Sequence, residues 1–238
     1  MLTRCVVTWG VHLSIASSRV SAGASNTVLR NGSSGASRRM IPRLFTTAHD
    51  AVASSRAERA EPNQGLITFT AAVFARAALK GTIIGGLARN HWEQPRVTYD
   101  LDLTVAADKS GLAMVVESFV DHGYVVVRSQ EPDQRSGPDF VQLYHPQLHY
   151  VVEFQAAKTA FQSLVIERGV PIPGAEPLTV ASREDLVVMK LIAFRSKDQN
   201  DLDELASHAD LDWAYVEHWA GVWGVEDRLE QLRGWLEE

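Results

Sequence analysis

The chain has 238 residues, 45% hydrophobic and 22% charged, with a formal net charge of −6. That is enough apolar material for one substantial core and excludes a fibrous or wholly disordered protein. No apolar run reaches the roughly 20 residues of a membrane-spanning helix, so no membrane partner and a cytoplasmic location are expected.

Residues 1–44 carry six arginines and no acid, and the first acid is Asp50. A flexible tail, or an early start codon with Met40 as the true start, is preferred over an organellar transit peptide of the same composition. Val6 to Ile15 is broken by Thr8, Gly10 and His12, against a secretory signal. Setting that +6 aside leaves −12 on the remainder. A body so acidic does not attract nucleic acid through its overall field; a local basic patch or a partner must do so. The only cysteine, Cys5, excludes an internal disulfide and a cysteine-based zinc site.

Residues 66–79 are apolar and Ala-rich and predict a helix. Residues 81–84 predict a short buried strand, broken by Gly85-Gly86, and residues 87–92 a helix ended by Pro95. Residues 98–105 alternate as a strand does: Leu101, Leu103 and Val105 share one face, Asp100, Asp102 and Thr104 the other. A helix over 112–122 closes at Gly123, and a valine-rich strand follows over 124–128. Residues 131–138 predict a loop, and residues 140–144 and 149–154 two strands turned at His145-Pro146. Residues 171–177 predict a linker.

Beyond it the pattern is helical. Ser182 caps a helix carrying Glu184 and Asp185 in its first turn and running to about Phe194. Another begins near Asp198, a candidate N-cap, and residues 213–236 supply one or two more. The tryptophans at 213, 219, 223 and 235 are spaced like core or interface anchors. The expected organisation is an N-terminal segment over 1–44, an α/β domain over 45–177 and a helical region over 178–238.

Chemistry concentrates in Gly85-Gly86 and, after thirteen intervening residues, Asp100-Leu101-Asp102-Leu103. Side chains two apart on a strand point the same way, so Asp100 and Asp102 form a pair. Two crowded carboxylates need a cation, or one takes up a proton. Hard oxygen ligands without cysteine suit Mg²⁺ or Mn²⁺. Glycines at a strand-to-helix turn let phosphates approach backbone and a helix N-terminus. Taken singly, Asp-x-Asp is an ordinary strand edge and Gly-Gly an ordinary turn; their order and spacing favour a site.

Gly85-Gly-Leu-Ala88, His91 and Arg96-Val-Thr-Tyr-Asp-Leu-Asp-Leu103 resemble the signature of the polymerase-β-like nucleotidyltransferase superfamily. The likeness runs closest to the AbiEii/AbiGii-type toxins. The segment from Glu184-Asp-Leu through Lys190, Arg195, Lys197 and Asp198 to Asp201 resembles a downstream motif of that family. Together they cover about residues 80–205.

The resemblance implies a mixed α/β (α+β) fold, a small mixed sheet with flanking helices and a C-terminal helical region. It implies a catalytic set of Asp100, Asp102, Glu153 and Lys190, with Asp100, Asp102 and Glu153 as Mg²⁺ ligands. Glu153 stands where Asp is usual in the superfamily, and strand period alone also allows an ordinary exposed acid. Nucleotide binding falls to Gly85, Gly86, Arg96, Thr98, Lys190, Lys197 and Asp198, with Asp201 a weaker candidate. Lys190 otherwise reads as a lysine reaching solvent from an apolar helix. The implied activity transfers a nucleoside monophosphate from an NTP to RNA or protein, in a toxin with a cognate antitoxin. A small-molecule acceptor of the antibiotic type, and a catalytically silent binding module, are the alternatives.

Overall fold

The computed structural model describes residues 62–130 and 139–237. The N-terminal segment 1–44 and the loop expected over 131–138 lie outside the described residues. Among the described residues the fold is α/β: eight helices around one seven-stranded mixed sheet. No helix among them is long and apolar enough to cross a membrane.

In chain order the elements are α1 (Pro62–Ala77), β1 (Lys80–Ile84), α2 (Gly85–Trp92), β2 (Asp100–Ala106), α3 (Lys109–Val120) and β3 (Val125–Gln130). Then come β4 (Phe140–Tyr144), β5 (Val151–Ala156), α4 (Ala160–Glu167), β6 (Val170–Pro171) and β7 (Leu178–Val180). Helices α5 (Arg183–Ala193), α6 (Ser196–Ala206), α7 (Trp213–Trp223) and α8 (Glu226–Leu236) complete it.

The sheet order is β3-β4-β5-β2-β1-β7-β6. Strands β2 and β5 pair in parallel, as do β1 and β7; the other neighbours are antiparallel. The alternation expected for β2 holds: Leu101, Leu103 and Val105 are fully buried. With Val152, Phe154, Val141 and Leu143 they form the face beneath Phe74 of α1 and Phe119 of α3, whose rings meet Phe154 at 6.0 and 5.2 Å. Each such side chain contributes about 1.5–3 kcal/mol on burial. Gly81 lies under Phe74, where a Cβ would meet the ring at 2.5 Å.

Several local expectations need correction. Gly85 and Gly86 are the first residues of α2 and not a break ahead of it. Thr104, on the face of Asp100 and Asp102, is fully buried. Tyr124 lies in the core against Phe119, and the strand starts after it. His149 takes a left-handed φ of 57°, so β5 starts at Val151. Residues 171–177 are a tight connection and not a linker: Ala175 is buried, its amide donates to Ile172 O, and β6 and β7 pair across it. The sheet thus continues past residue 177, because β7 lies beside β1.

The expected Ser182 cap is present, with Oγ accepting from the Asp185 amide at 3.2 Å. Asp198 is the third residue of α6; Arg195 occupies the cap, and the Asp198 carboxylate accepts its amide at 3.1 Å. The tryptophans pack on the core: Trp219 and Trp223 meet Phe161, and Trp235 stacks on Phe194.

Candidate active site

Strand β1 runs into α2 through Gly85, whose φ of +66° suits glycine. Ile84 at the N-cap makes no side-chain hydrogen bond to the first turn, whose amides have no partner within the helix. Asp102 lies opposite: a Cβ on Gly85 would meet its Oδ2 at 2.1 Å. The glycine is therefore a spatial requirement of the carboxylate. A Gly85→Ala variant combines that clash with left-handed strain of roughly 1–2 kcal/mol. It should lower the melting temperature and displace Asp102, with loss of nucleotide affinity by titration calorimetry; unchanged affinity would refute that role.

Asp100 and Asp102 share one face of β2, and the parallel register sets Glu153 beside Asp102. Burial first, then the charges of Glu153 and Asp100, push the Asp102 carboxyl up to about 7, against Lys197 and Arg195. The Glu153 carboxylate accepts from Gln142 Nε2 at 3.2 Å and from Gln155 Nε2 at 3.1 Å. This is the acidic wall.

The basic wall comes from α5 and α6. Phe194 ends α5 in the left-handed conformation (φ 47°), so the chain turns sharply into α6. Helix α8 holds that corner: Arg228 donates to Leu191 O at 2.8 Å and Ile192 O at 2.7 Å, and Trp235 stacks on Phe194. Lys190 Nζ lies 2.6 Å from Asp201 Oδ2 and 3.6 Å from Asp198 Oδ1. Asp201 also accepts from Arg96 Nη2 at both carboxylate oxygens, at 3.0 and 2.9 Å, and lies 3.5 Å from Arg89 Nε. Arg89 also pairs with Glu204 and donates to Gln94 O. Burial opposes ionisation of Asp198, but the Arg195 hydrogen bond and charge, with Lys190, hold its carboxyl below the ordinary value. The Arg195 guanidinium is raised by Asp198 first and also by Asp102 and Glu153, across the site.

Between the walls lies a cavity of about 260 Å³. Glycines 85 and 86, Thr98, both aspartates of β2 and Lys190 meet there with Lys197, Asp198 and Asp201. Arg96 joins them from a loop pinned by Asn90, which donates to Arg96 O at 2.6 Å and accepts from its amide at 3.1 Å. Among the described residues, no three His, Cys, Asp or Glu converge closely enough to hold a metal.

A family model described as nucleotidyltransferase of unknown function (DUF6036) matches residues 72–223. The chain belongs to this nucleotidyltransferase family. Among solved structures it is similar to the antibiotic-resistance factor ANT(2'')-Ia, at 15% identity over 71% of this chain and 94% of that one, with a TM-score of 0.49. An antigenic nucleotidyltransferase-like protein from Paracoccidioides brasiliensis is 14% identical over 72% and 90%, with a TM-score of 0.40. A tRNA nucleotidyltransferase bound to a primer tRNA and an ATP analogue is 14% identical over 69% and 60%, with a TM-score of 0.32. No curated protein matches the sequence.

In this DUF6036 nucleotidyltransferase, the cavity gathers every residue expected at the site except Glu153, which stands beside Asp102 on β5. Lys190, expected as a free charge for phosphates, is buried and ion-paired. Sequence reasoning missed the weight of Asp201, Arg195 and Arg89. Arg195 and Asp201 stood within the downstream motif, but three- and four-residue charge spacing also reads as a solvated helix face. It also missed Val97 and Tyr99, which line the cavity mouth and are 63% and 58% exposed. Nothing in the sequence marks Arg89 as buried.

Proposed function

We propose that the chain moves a nucleoside monophosphate from an NTP to an acceptor hydroxyl, with the polyphosphate seated between the two walls. The observation that carries this reading is the pairing of Asp100 and Asp102 with an uncapped helix N-terminus and a cationic wall around one cavity. Drug-sized ligands occupy about 300–1,000 Å³. A cavity of about 260 Å³ suits phosphates, leaving the base against exposed Val97 and Tyr99.

The site residues take these roles in the proposal. The amides of Gly85 and Gly86, with Thr98, face the phosphates. Arg96, Lys197 and Arg195 draw in negative charge, and Lys190 supplies a fixed charge from behind, steadied by Asp198 and Asp201. Asp100 and Asp102 fit a Mg²⁺ or Mn²⁺ ion: hard oxygens share one face, and crowding already penalises their joint ionisation. Such an ion supplies charge stabilisation at the transferring phosphorus when bound. Glu153, fixed by two amide donors, takes the proton of the attacking hydroxyl.

We further propose a toxin-like role with a cognate antitoxin, acting on RNA or protein. Its support is the resemblance of residues 80–205 to the AbiEii/AbiGii-type toxins, and a neighbouring gene for a small DNA-binding antitoxin would strengthen it. The −12 charge outside residues 1–44 favours the second reading, a small uncharged or cationic acceptor. The test is incubation with each α-labelled NTP, Mg²⁺ and either total RNA or cell lysate, beside an Asp100→Ala/Asp102→Ala variant. Label transfer that the variant lacks is the expected result. No transfer and no NTP binding would refute the reading.

A further inference from the structure

The sheet is covered unevenly on the face that carries Asp102, and its register shows where cover stops. One cross-strand row runs Ile84, Asp102, Glu153, Gln142, Arg128. Ile84 is buried, Asp102, Glu153 and Gln142 are half-buried, and Arg128 is exposed. The row on one side runs Thr82, Thr104, Gln155, Phe140, Gln130, and passes from buried through half-buried to exposed in the same way. The row on the other side runs Asp100, Val151, Tyr144, Val125. Helix α4 packs over β1 and β2. Beyond them, β5, β4 and β3 present an open platform continuous with the candidate catalytic carboxylates. It extends about 14 Å from Asp102, three strand spacings of ~4.8 Å.

The chemistry of this platform is specific. Gln142 and Gln155 flank Glu153 and each gives it one N–H. Each amide keeps its carbonyl oxygen and a second N–H, an acceptor and a donor side by side. Adjacent hydroxyls on a ring need that combination, since each donates once and accepts. Phe140 and Tyr144 border the row and offer apolar surface to a ring face. Among the described residues of these three strands the one cation is Arg128, whose guanidinium already lies 5.0 Å over the Phe140 ring. It is poorly furnished for a run of phosphates.

We propose that this face of β5, β4 and β3 is the acceptor site, and that it takes the vicinal diol of a sugar ring. The inference rests on the nucleotidyl-transfer reading above. Gln142 and Gln155 hold the diol and orient Glu153, so they are positioning residues. One hydroxyl oxygen of the diol bonds to the α-phosphorus of the NTP. The bond from that phosphorus to pyrophosphate breaks, and pyrophosphate leaves with the electron pair. The hydroxyl proton passes to Glu153.

A free riboside and the 3′-terminal ribose of an RNA carry the same diol, and the experiment separates them. The full chain is given α-labelled NTP and Mg²⁺ with one of four acceptors: adenosine, RNA with intact 3′ ends, the same RNA after periodate cleavage of its terminal diol, or cell lysate. Deoxyadenosine is the control for the free riboside. Label is expected on adenosine or intact RNA and not on the cleaved or deoxy forms. In a Gln142→Ala/Gln155→Ala variant the KM for that acceptor should rise about ten-fold, with fluorescent-NTP affinity held within about two-fold. Transfer that survives periodate, transfer to protein, an unchanged acceptor KM, or an equal loss of NTP affinity overturns the site while leaving nucleotidyl transfer intact. Absence of label on every acceptor, lysate included, overturns the transfer itself and the site with it.

Discussion

An Asp102→Asn variant is expected to lose nucleotidyl transfer by about a thousand-fold or more while becoming the more stable protein at pH 8. Both effects have one cause. Burial and the charges of Glu153 and Asp100 raise the Asp102 carboxyl from its usual 3.8 to about 7. A raised folded-state value means that the folded protein holds a proton the unfolded chain has released. Stability on this account is fully present below pH ~4 and is lost as pH rises through ~7. Three units correspond to about 4 kcal/mol, and relaxation of the site reduces that to roughly 2–4 kcal/mol. Metal-free wild type should therefore lose stability between about pH 4 and 7 in urea titrations, and Asp102→Asn should show a flatter profile. Added Mg²⁺ should stabilise wild type at pH 8 far more than at pH 5 and leave the variant nearly unchanged. A variant with the wild-type pH profile would show that Asp102 is not the strained group.

The second large effect is expected at Asp201. Its side chain is 6% exposed and faces Lys190 and Arg89, themselves 9% and 3% exposed, together with Arg96 Nη2. An Asp201→Ala substitution leaves two buried cations short of a counter-charge. Removing one partner of a buried pair costs about 3–5 kcal/mol, far beyond the worth of a surface pair. The urea midpoint should fall accordingly. Inorganic tripolyphosphate should then recover more stability in the variant than in wild type, because an anion in the cavity answers the same charges. A loss below about 1 kcal/mol would place Asp201 among ordinary surface ion pairs.

How much of this could be read from the residues depended on range. The alternation of Asp100 to Val105 exposed the acidic face of β2, because a two-residue period is local. Ser182 announced α5 through a three-residue cap, and the α/β class followed from such signals. Sheet order was not legible. Nothing between residues 102 and 153 states that β2 and β5 run in parallel, yet that pairing sets Glu153 beside Asp102. The charge network was hidden for the same reason. Arg96 and Asp201 are 105 positions apart, and only the turn at Phe194 brings Asp201 within reach. Lys190 shows the limit from the other side: its place in the chain pointed to the site, but its ion pairs appear only when α5 and α6 are packed.

The parallel pairing of β1 with β7 has a consequence for the newly made chain. Thr82 and Thr179, whose hydroxyls lie 2.8 Å apart, are separated by 97 positions. Contacts of such separation close slowly, after local structure has formed. Translation delivers Asp100, Asp102 and Glu153 well before Lys190, Arg195 and Asp201 leave the ribosome. At that stage the chain holds the two aspartates, the glycine turn and Arg96 but lacks the lining from α5 and α6. The lining of the cavity is complete once α5 and α6, which follow β7, are packed.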